Sequence, residues 1–226
     1  LLWILFIFLF YSFIGWFGEV LFILLKEKKF VNRGITNGPF CTLYGLIAVV
    51  LSLTLNDIDN TLVVFLSSIL YSTIIQYIVG KILSSFNKQV WWDYSNKKYN
   101  VDGYICLNYS LLWGIFGTIL IRFINPPLLT IFKNFNIYIA GIILYTLMGL
   151  FLVDLLTSFI TLKKIRKNKI KTHTASFMDW IYASVKNRLD KAYPTFSKKN
   201  LKHVSLPDGI SLTHVFYLFI ICAFLG

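Results

Sequence analysis

Of the 226 residues, 57% are hydrophobic and 14% charged, against about 45–50% and about 25% in a soluble domain. With a mean hydropathy of +0.68 and several unbroken apolar runs, the chain is excluded from the soluble class and reads as a polytopic membrane protein. The net charge of +12 is carried between those runs, so it reflects membrane topology and not a nucleic-acid surface.

The first apolar run, residues 3–25, is long enough to span. It has no small-residue cleavage site, so it reads as a helix rather than a signal peptide. A second helix is expected over residues 39–55, with Asn37 as its cap and Pro39 in a first turn where a missing N–H loses nothing. A short acidic loop leads to a third helix over 62–84. Residues 90–109 form the longest polar and aromatic interruption before the basic tail. They read either as an interfacial anchor, because Trp and Tyr favour headgroup depth, or as a structured loop closing a site at the mouth of the bundle. A fourth helix over 104–124 is expected to break sharply at Asn125-Pro126-Pro127. Residues 128–132 would then re-enter or lie on the surface, and a fifth helix follows over 137–162.

A basic segment occupies 163–209, and 210–226 is apolar enough to begin a truncated sixth span. Inside the basic segment, Ser176 and Asp179 have capping-box spacing. Met178, Ile181, Val185, Leu189 and Ala192 share one helical face behind them, with Lys186, Arg188 and Lys191 elsewhere on the wheel. That face is expected to rest on anionic lipid; docking of a cytoplasmic partner is the other reading. The chain has no initial Met and stops inside an apolar run, so it is expected to be a piece of a longer protein. The fold class is therefore an all-α membrane bundle of five transmembrane helices plus a truncated sixth.

Lys and Arg set the orientation. The first loop holds four, the second none, the region between the third and fourth helices four, the next loop two, and the segment after the fifth helix twelve. The positive-inside rule puts the first, third and last of these in the cytoplasm and the N-terminus outside. Both cytoplasmic loops enter the following helix with one pattern, Gly38-x-x-Cys41-x-x-Tyr44 and Gly103-x-x-Cys106-x-x-Tyr109. This echo suggests a parallel repeat of helices 1–2 and 3–4, a device of transporter folds. Each helix start would present free N–H groups and a positive dipole end, suited to phosphate or carboxylate. Arg33 could grip such an anion or face Asp93.

Ionisable groups within spans are by default functional candidates. Counted from the basic flanks, Glu19, Gln76 and Asp154 fall at similar depth in the inner half of the membrane, Glu19 about 10 Å and Asp154 about 13 Å from the edge. They could form one polar cluster under the aromatic loops, or each could be satisfied locally. No nucleotide-binding, paired-His or nucleophile-elbow motif occurs. The three cysteines form no paired framework. Neither a catalytic set, a metal nor a cofactor is expected.

The stretches Tyr11-Ser-Phe-Ile-Gly-Trp-Phe-Gly-Glu19, Phe30-Val-Asn-Arg-Gly-Ile-Thr-Asn-Gly-Pro-Phe-Cys-Thr-Leu-Tyr-Gly45 and Trp91-Trp-Asp-Tyr-Ser95, with residues 100–108, resemble the bacterial CmpB-like membrane family called ABC-transporter type IV. The resemblance covers roughly residues 10–160. It places motif positions on Glu19, Asn32, Arg33, Gly34, Asn37, Gly38, Pro39, Cys41, Tyr44 and Gly45, then on Trp91, Trp92, Asp93, Tyr94, Ser95, Gly103, Cys106 and Asn108. At Gln76-Tyr77 the family's pattern has Glu before the Tyr, so no carboxylate pair with Glu19 is implied. The resemblance implies a permease-like subunit in the bacterial cytoplasmic membrane, working with a cytoplasmic ATP-binding subunit. Beside this stand a membrane scaffold acting through its cytoplasmic loops and a lipid-modifying enzyme. The bilayer is the one partner the residues themselves demand; self-association is left open.

Overall fold

The computed structural model of the chain describes residues 1–32, 34–87, 91–166 and 177–192. Its elements are α1 (Leu2–Glu27), α2 (Thr42–Leu55), α3 (Thr61–Asn87), a small hairpin of β1 (Asn100–Val101) and β2 (Ile105–Cys106), α4 (Leu107–Ile119), a π-helical turn (Leu120–Ile124), α5 (Asn125–Asn134), α6 (Ile137–Arg166) and α7 (Phe177–Ala192). Among the described residues, four helical stretches are long and apolar enough to cross a membrane: Leu2–Glu27, Thr61–Ser85, Leu107–Asn134 and Ile137–Lys164. The fifth expected span is shorter. At 14 residues, α2 is about 21 Å long, below the roughly 30 Å hydrocarbon core. The expected sixth span, 210–226, lies outside the described residues.

Helix boundaries follow local chemistry. α1 ends where Lys28 turns left-handed (φ 54°) and its amide closes on the Leu24 carbonyl at 2.9 Å. Asn60 caps α3 by accepting from the amides of Leu62 (2.9 Å) and Val63 (3.3 Å). Asn136 does the same for α6, accepting from Tyr138 and Ile139. The echo Gly-x-x-Cys-x-x-Tyr meets structure at equivalent points, since Cys41 and Cys106 are the extended N-cap residues of α2 and α4.

Small residues bring the helices together in two antiparallel pairs. On the α1–α2 seam, a Cβ on Gly15 would run into the Tyr44 ring, and one on Gly45 would meet Ser12 and lie 2.6 Å from the Phe8 carbonyl. On the α3–α4 seam, a Cβ on Gly114 would lie 2.5 Å from Ile69, and one on Gly117 2.5 Å from Ser68. In lipid, where apolar surface gains little by leaving the solvent, such close backbone approach supplies the attraction. The seams meet in a core of Ile7, Tyr11, Ile47, Ala48, Leu51, Leu55, Val64, Leu120 and Ile121. By contrast Leu62, Leu66, Leu70, Ile74, Ile78 and Ile82 run every fourth residue along the exposed face of α3, as a lipid-facing stripe would.

The expected break at Asn125-Pro126-Pro127 does not occur. Helix continues to Asn134, with Pro126 and Pro127 in the first turn of α5. The π-turn explains this. It widens the ladder, with the Asn125 amide reaching back to Leu120, so the prolines fall where missing donors are tolerated. The segment 128–132 is therefore helical and continues the fourth expected helix. The same turn rotates Asn125 inward to 1% exposure. There it accepts from the Tyr11 hydroxyl at 2.9 Å and donates to Ser52 (2.9 Å) and Asn56 (3.3 Å), tying α1, α2 and α5. Arg122 closes the same end by donating to the carbonyls of Ile58 and Asp59.

α7 is the second departure. Its apolar face was expected on lipid, but Val185 (1% exposed) and Leu189 (0%) are buried against Leu162 of α6, with Phe159, Ile181 and Trp91 around them. The face is consumed inside the protein. Ser176 lies outside the described residues and the Asp179 side chain is likewise not described.

The seams predict a contrast. Gly45→Ala overpacks the α1–α2 crossing and should lower stability by about 1–3 kcal/mol. Gly149→Ala has nothing within 4 Å of its new methyl and should be neutral or stabilising. Thermal melts of both variants in one detergent check this.

Candidate functional site

Loop 1, residues 28–41, does not simply turn outside the bundle. The Cys41 amide donates to the Ser12 carbonyl at 2.8 Å, and Ser12 lies fifteen residues before the end of α1. The loop thus runs back along α1 by about 22 Å before α2 begins. Irregular backbone at such depth persists only if its polar groups are satisfied within the protein. Three side chains of the loop do part of this. Asn32 accepts from the Gly34 amide (2.9 Å) and donates to the carbonyls of Asn37 (3.0 Å) and Thr36 (3.4 Å). Thr36, fully buried, donates to the Phe40 carbonyl at 2.9 Å. Asn37 takes its partners from other helices.

One of these partners is Asp154 of α6. Its Oδ1 accepts from the Asn37 amide and from Asn37 Nδ2, both at 3.1 Å, and its Oδ2 accepts from the Gly38 amide at 2.7 Å. The other is Arg188 of α7. Nε donates to Asn37 Oδ1 (2.8 Å), Nη1 to the carbonyls of Gly34 (2.6 Å) and Asn32 (3.5 Å), and Nη2 to Ile35 (2.7 Å). A carboxylate therefore collects the loop's amides while a guanidinium collects its carbonyls. Arg33 itself lies outside the described residues.

Loop 2, described over residues 91–106, is also folded against the bundle. Trp92 Nε1 donates to the Tyr104 carbonyl at 2.8 Å. Asp93, 7% exposed, accepts from the Ser95 amide at 2.8 Å and from the Ser95 hydroxyl. Asn100 donates to the carbonyls of Ser95 and Lys97. The β1–β2 hairpin turns through Asp102 and Gly103, both with positive φ (53° and 71°), as a primed turn requires. Gly103 is needed there twice over, since a Cβ would also lie 2.9 Å from Asp93 Oδ1. The hairpin is pinned to α3 by Tyr77, whose hydroxyl donates to Asp102 at 2.7 Å, and by Lys81, 3.6 Å from the same oxygen. Asn108, in the first turn of α4, is exposed.

A polar cluster lies under the two loops. The Tyr44 hydroxyl of α2 donates to Glu19 of α1. The Tyr44 ring packs on Trp113 of α4, centroids 5.2 Å apart. Trp113 Nε1 donates to Gln76 Oε1 of α3 at 2.9 Å, and Gln76 hydrogen-bonds in turn to Tyr94 of loop 2. Tyr94 stacks on Tyr109 at 4.5 Å and lies within electrostatic reach of Glu19. Burial holds the Tyr94 phenol well above its usual range, with Tyr109 and Cys106 adding to the effect.

The three intramembrane candidates are thus divided. Glu19 and Gln76 both neighbour Tyr94, whereas Asp154 is engaged by the Asn37–Gly38 backbone of loop 1. Trp113 and Arg188 are structural members that residue-type arguments passed over. Trp113 stands one helical turn after Tyr109, on the same face of α4, and that spacing was the available signal. Among the described residues no three His, Cys, Asp or Glu side chains gather as a metal site would need.

These positions can be set against known proteins. The family model described as Putative ABC-transporter type IV matches residues 6–159. The chain belongs to that family. It is a multi-pass membrane protein of a transport-related family, and no curated protein and no solved structure matches it. The type IV match takes in Glu19, Cys41, Tyr44, Gln76, Tyr94, Cys106, Tyr109, Trp113 and Asp154. α7, with Arg188, lies beyond it.

The hairpin anchor is sensitive to acid. The Tyr77 hydrogen bond, and then Lys81, hold the Asp102 carboxyl below its ordinary range. A carboxyl with a depressed folded value contributes fully above its unfolded pKa of about 3.9 and loses that contribution as the pH falls through the lower folded value. Hairpin amides from Val101 to Ile105 should therefore lose exchange protection in that acid window. Asp102→Asn should lose it already at neutral pH and show no further acid step. Hydrogen-exchange protection factors across the two pH ranges decide it.

Proposed function

We propose that this chain is a permease-like subunit of an ABC-type transporter in the bacterial cytoplasmic membrane. Loops 1 and 2 and α7 lie on the cytoplasmic side, and the N-terminus is outside. The observation that carries this reading is the polar, aromatic-walled cluster of Glu19, Tyr44, Gln76, Tyr94, Tyr109 and Trp113. Four helices and one loop supply it, at a depth where polar groups are expensive. Such a cluster, roofed by two folded-back loops instead of closed by continuous helix, suits a solute path that opens when the roof moves. The family supports a transport role, and the positive-inside distribution supports the orientation.

The chain itself is not the enzyme in this reading. It contains no nucleotide-binding motif, so hydrolysis belongs to a cytoplasmic ATP-binding subunit. That subunit would dock on the outward surfaces of loop 2 and α7, where Lys97, Lys98, Asn187 and Lys191 are exposed.

The test is gentle purification of the full-length protein from native membranes, identification of every stoichiometric chain, and assay of ATP turnover. A co-purifying ATPase is expected, and Glu19→Gln should keep that partner while changing its turnover at least severalfold. A homogeneous preparation with no ATPase would overturn the permease assignment. A bound partner indifferent to Glu19→Gln but lost with Trp91→Ala would turn the reading towards a scaffold.

A further inference from the structure

We propose that α7 is a latch that holds both folded-back loops closed over the Glu19–Tyr94 cluster, with Arg188 as the positioning residue for loop 1. The two loops come from different helix pairs, and α7 touches both. Its guanidinium spans the carbonyls of Asn32, Gly34 and Ile35 and the side chain of Asn37 in loop 1. Its apolar face, through Val185 and Leu189, packs with Trp91 at the start of loop 2. Lys164 of α6 lies 3.4 Å over the Tyr182 ring and fixes the first half of the same helix.

Two features make this contact a latch instead of a permanent wall. First, its buried core among the described residues is small. Leu162, Val185 and Leu189 form it, against the nine residues that join α1, α2, α3 and the π-turn. α7 can leave while that larger core stays packed. Second, loop 1 is held from two sides by opposite chemistry. Asp154 of α6 binds the amides of Asn37 and Gly38, whereas Arg188 binds the carbonyls before them. Releasing Arg188 frees the carbonyls of Asn32, Gly34 and Ile35 but leaves the Asp154 anchor in place. The loop then opens as a hinged flap. A Cβ on Gly34 would lie 3.1 Å from the Phe40 carbonyl, so lifting this stretch uncovers the backbone next to Cys41, whose own amide stays tied to Ser12.

The planar fork of Arg is what the geometry uses. A guanidinium can serve four acceptors in fixed directions, while a Lys ammonium is a point donor on a flexible stem. Charge is therefore not sufficient for the latch.

The experiment measures thiol reactivity of Cys41 and Cys106, site by site, in the full-length, membrane-inserted protein with Cys222→Ser. N-ethylmaleimide labelling of each is followed by peptide mass spectrometry. Arg188→Gln should speed Cys41 labelling roughly tenfold, the factor expected from losing a charge-assisted contact, with Cys106 unchanged. Arg188→Lys should give an intermediate rate and keeps the test usable if the Gln variant inserts poorly. Leu189→Ala, which loosens the whole helix, should speed both thiols. An unchanged Cys41 rate in both Arg188 variants would overturn the proposal. So would an equal rise at Cys41 and Cys106 with Arg188→Gln, because α7 would then be a general prop. The readout is independent of solute, ATP and partner, so its failure and that of the transport reading are distinguishable.

Discussion

Backbone hydrogen bonding in a medium without water is the constraint on which the structure depends. Helices meet it by themselves; loops do not. This chain folds two loops back against its apolar helices and must therefore supply partners for their amides and carbonyls. Asn32, Thr36, Asp154 and Arg188 do so for loop 1, and Trp92, Asp93 and Asn100 do so for loop 2. The cluster around Glu19 and Tyr94 is what lies between two segments so arranged.

The opposite end of the bundle is built differently. There the connections are short, and one buried amide side chain, Asn125, joins three helices while Arg122 holds the α2–α3 turn. That end is fixed by hydrogen bonds to a rigid helix, with the π-turn presenting Asn125 inward. The basic end is fixed by hydrogen bonds to loops. A molecule clamped at one end and looped at the other has its freedom concentrated where the cluster is, and motion there need not disturb the core of Ile7, Ile47, Leu51 and Val64.

The helices were legible because unbroken apolar runs admit few alternatives, and the loop residues were legible because Asn, Asp, Gly and Trp are conspicuous between such runs. The depth of the loops was not legible. Nothing in Gly38 to Tyr44 states that Cys41 lies beside Ser12; that follows from Gly15 and Gly45 allowing α1 and α2 to meet at one height. Asn125-Pro126-Pro127 misled because a proline pair has one local meaning and the π-turn supplies another. Equal depth left open whether Asp154, Glu19 and Gln76 share one cluster or are satisfied separately, because angular position on each helix decides which neighbour a side chain meets, and Asp154 meets the amides of Asn37 and Gly38. The apolar face of α7 was visible as a periodicity, but periodicity does not say whether lipid or protein covers it.

The shortness of α2 bears on how the molecule is made. A segment of about 21 Å does not match the thickness that a membrane-insertion machine selects for, so α2 is a poor candidate to enter the bilayer alone. It becomes stable there by lying against α1, where Gly15 and Gly45 let the two backbones touch. The first three elements, α1, loop 1 and α2, would then be delivered as one hairpin during synthesis. Loop 1 would be carried to depth with its partners on α6 and α7 not yet made. Its final hydrogen bonds would come only from the last described helices, so the N-terminal part of the site would be completed at the end of assembly.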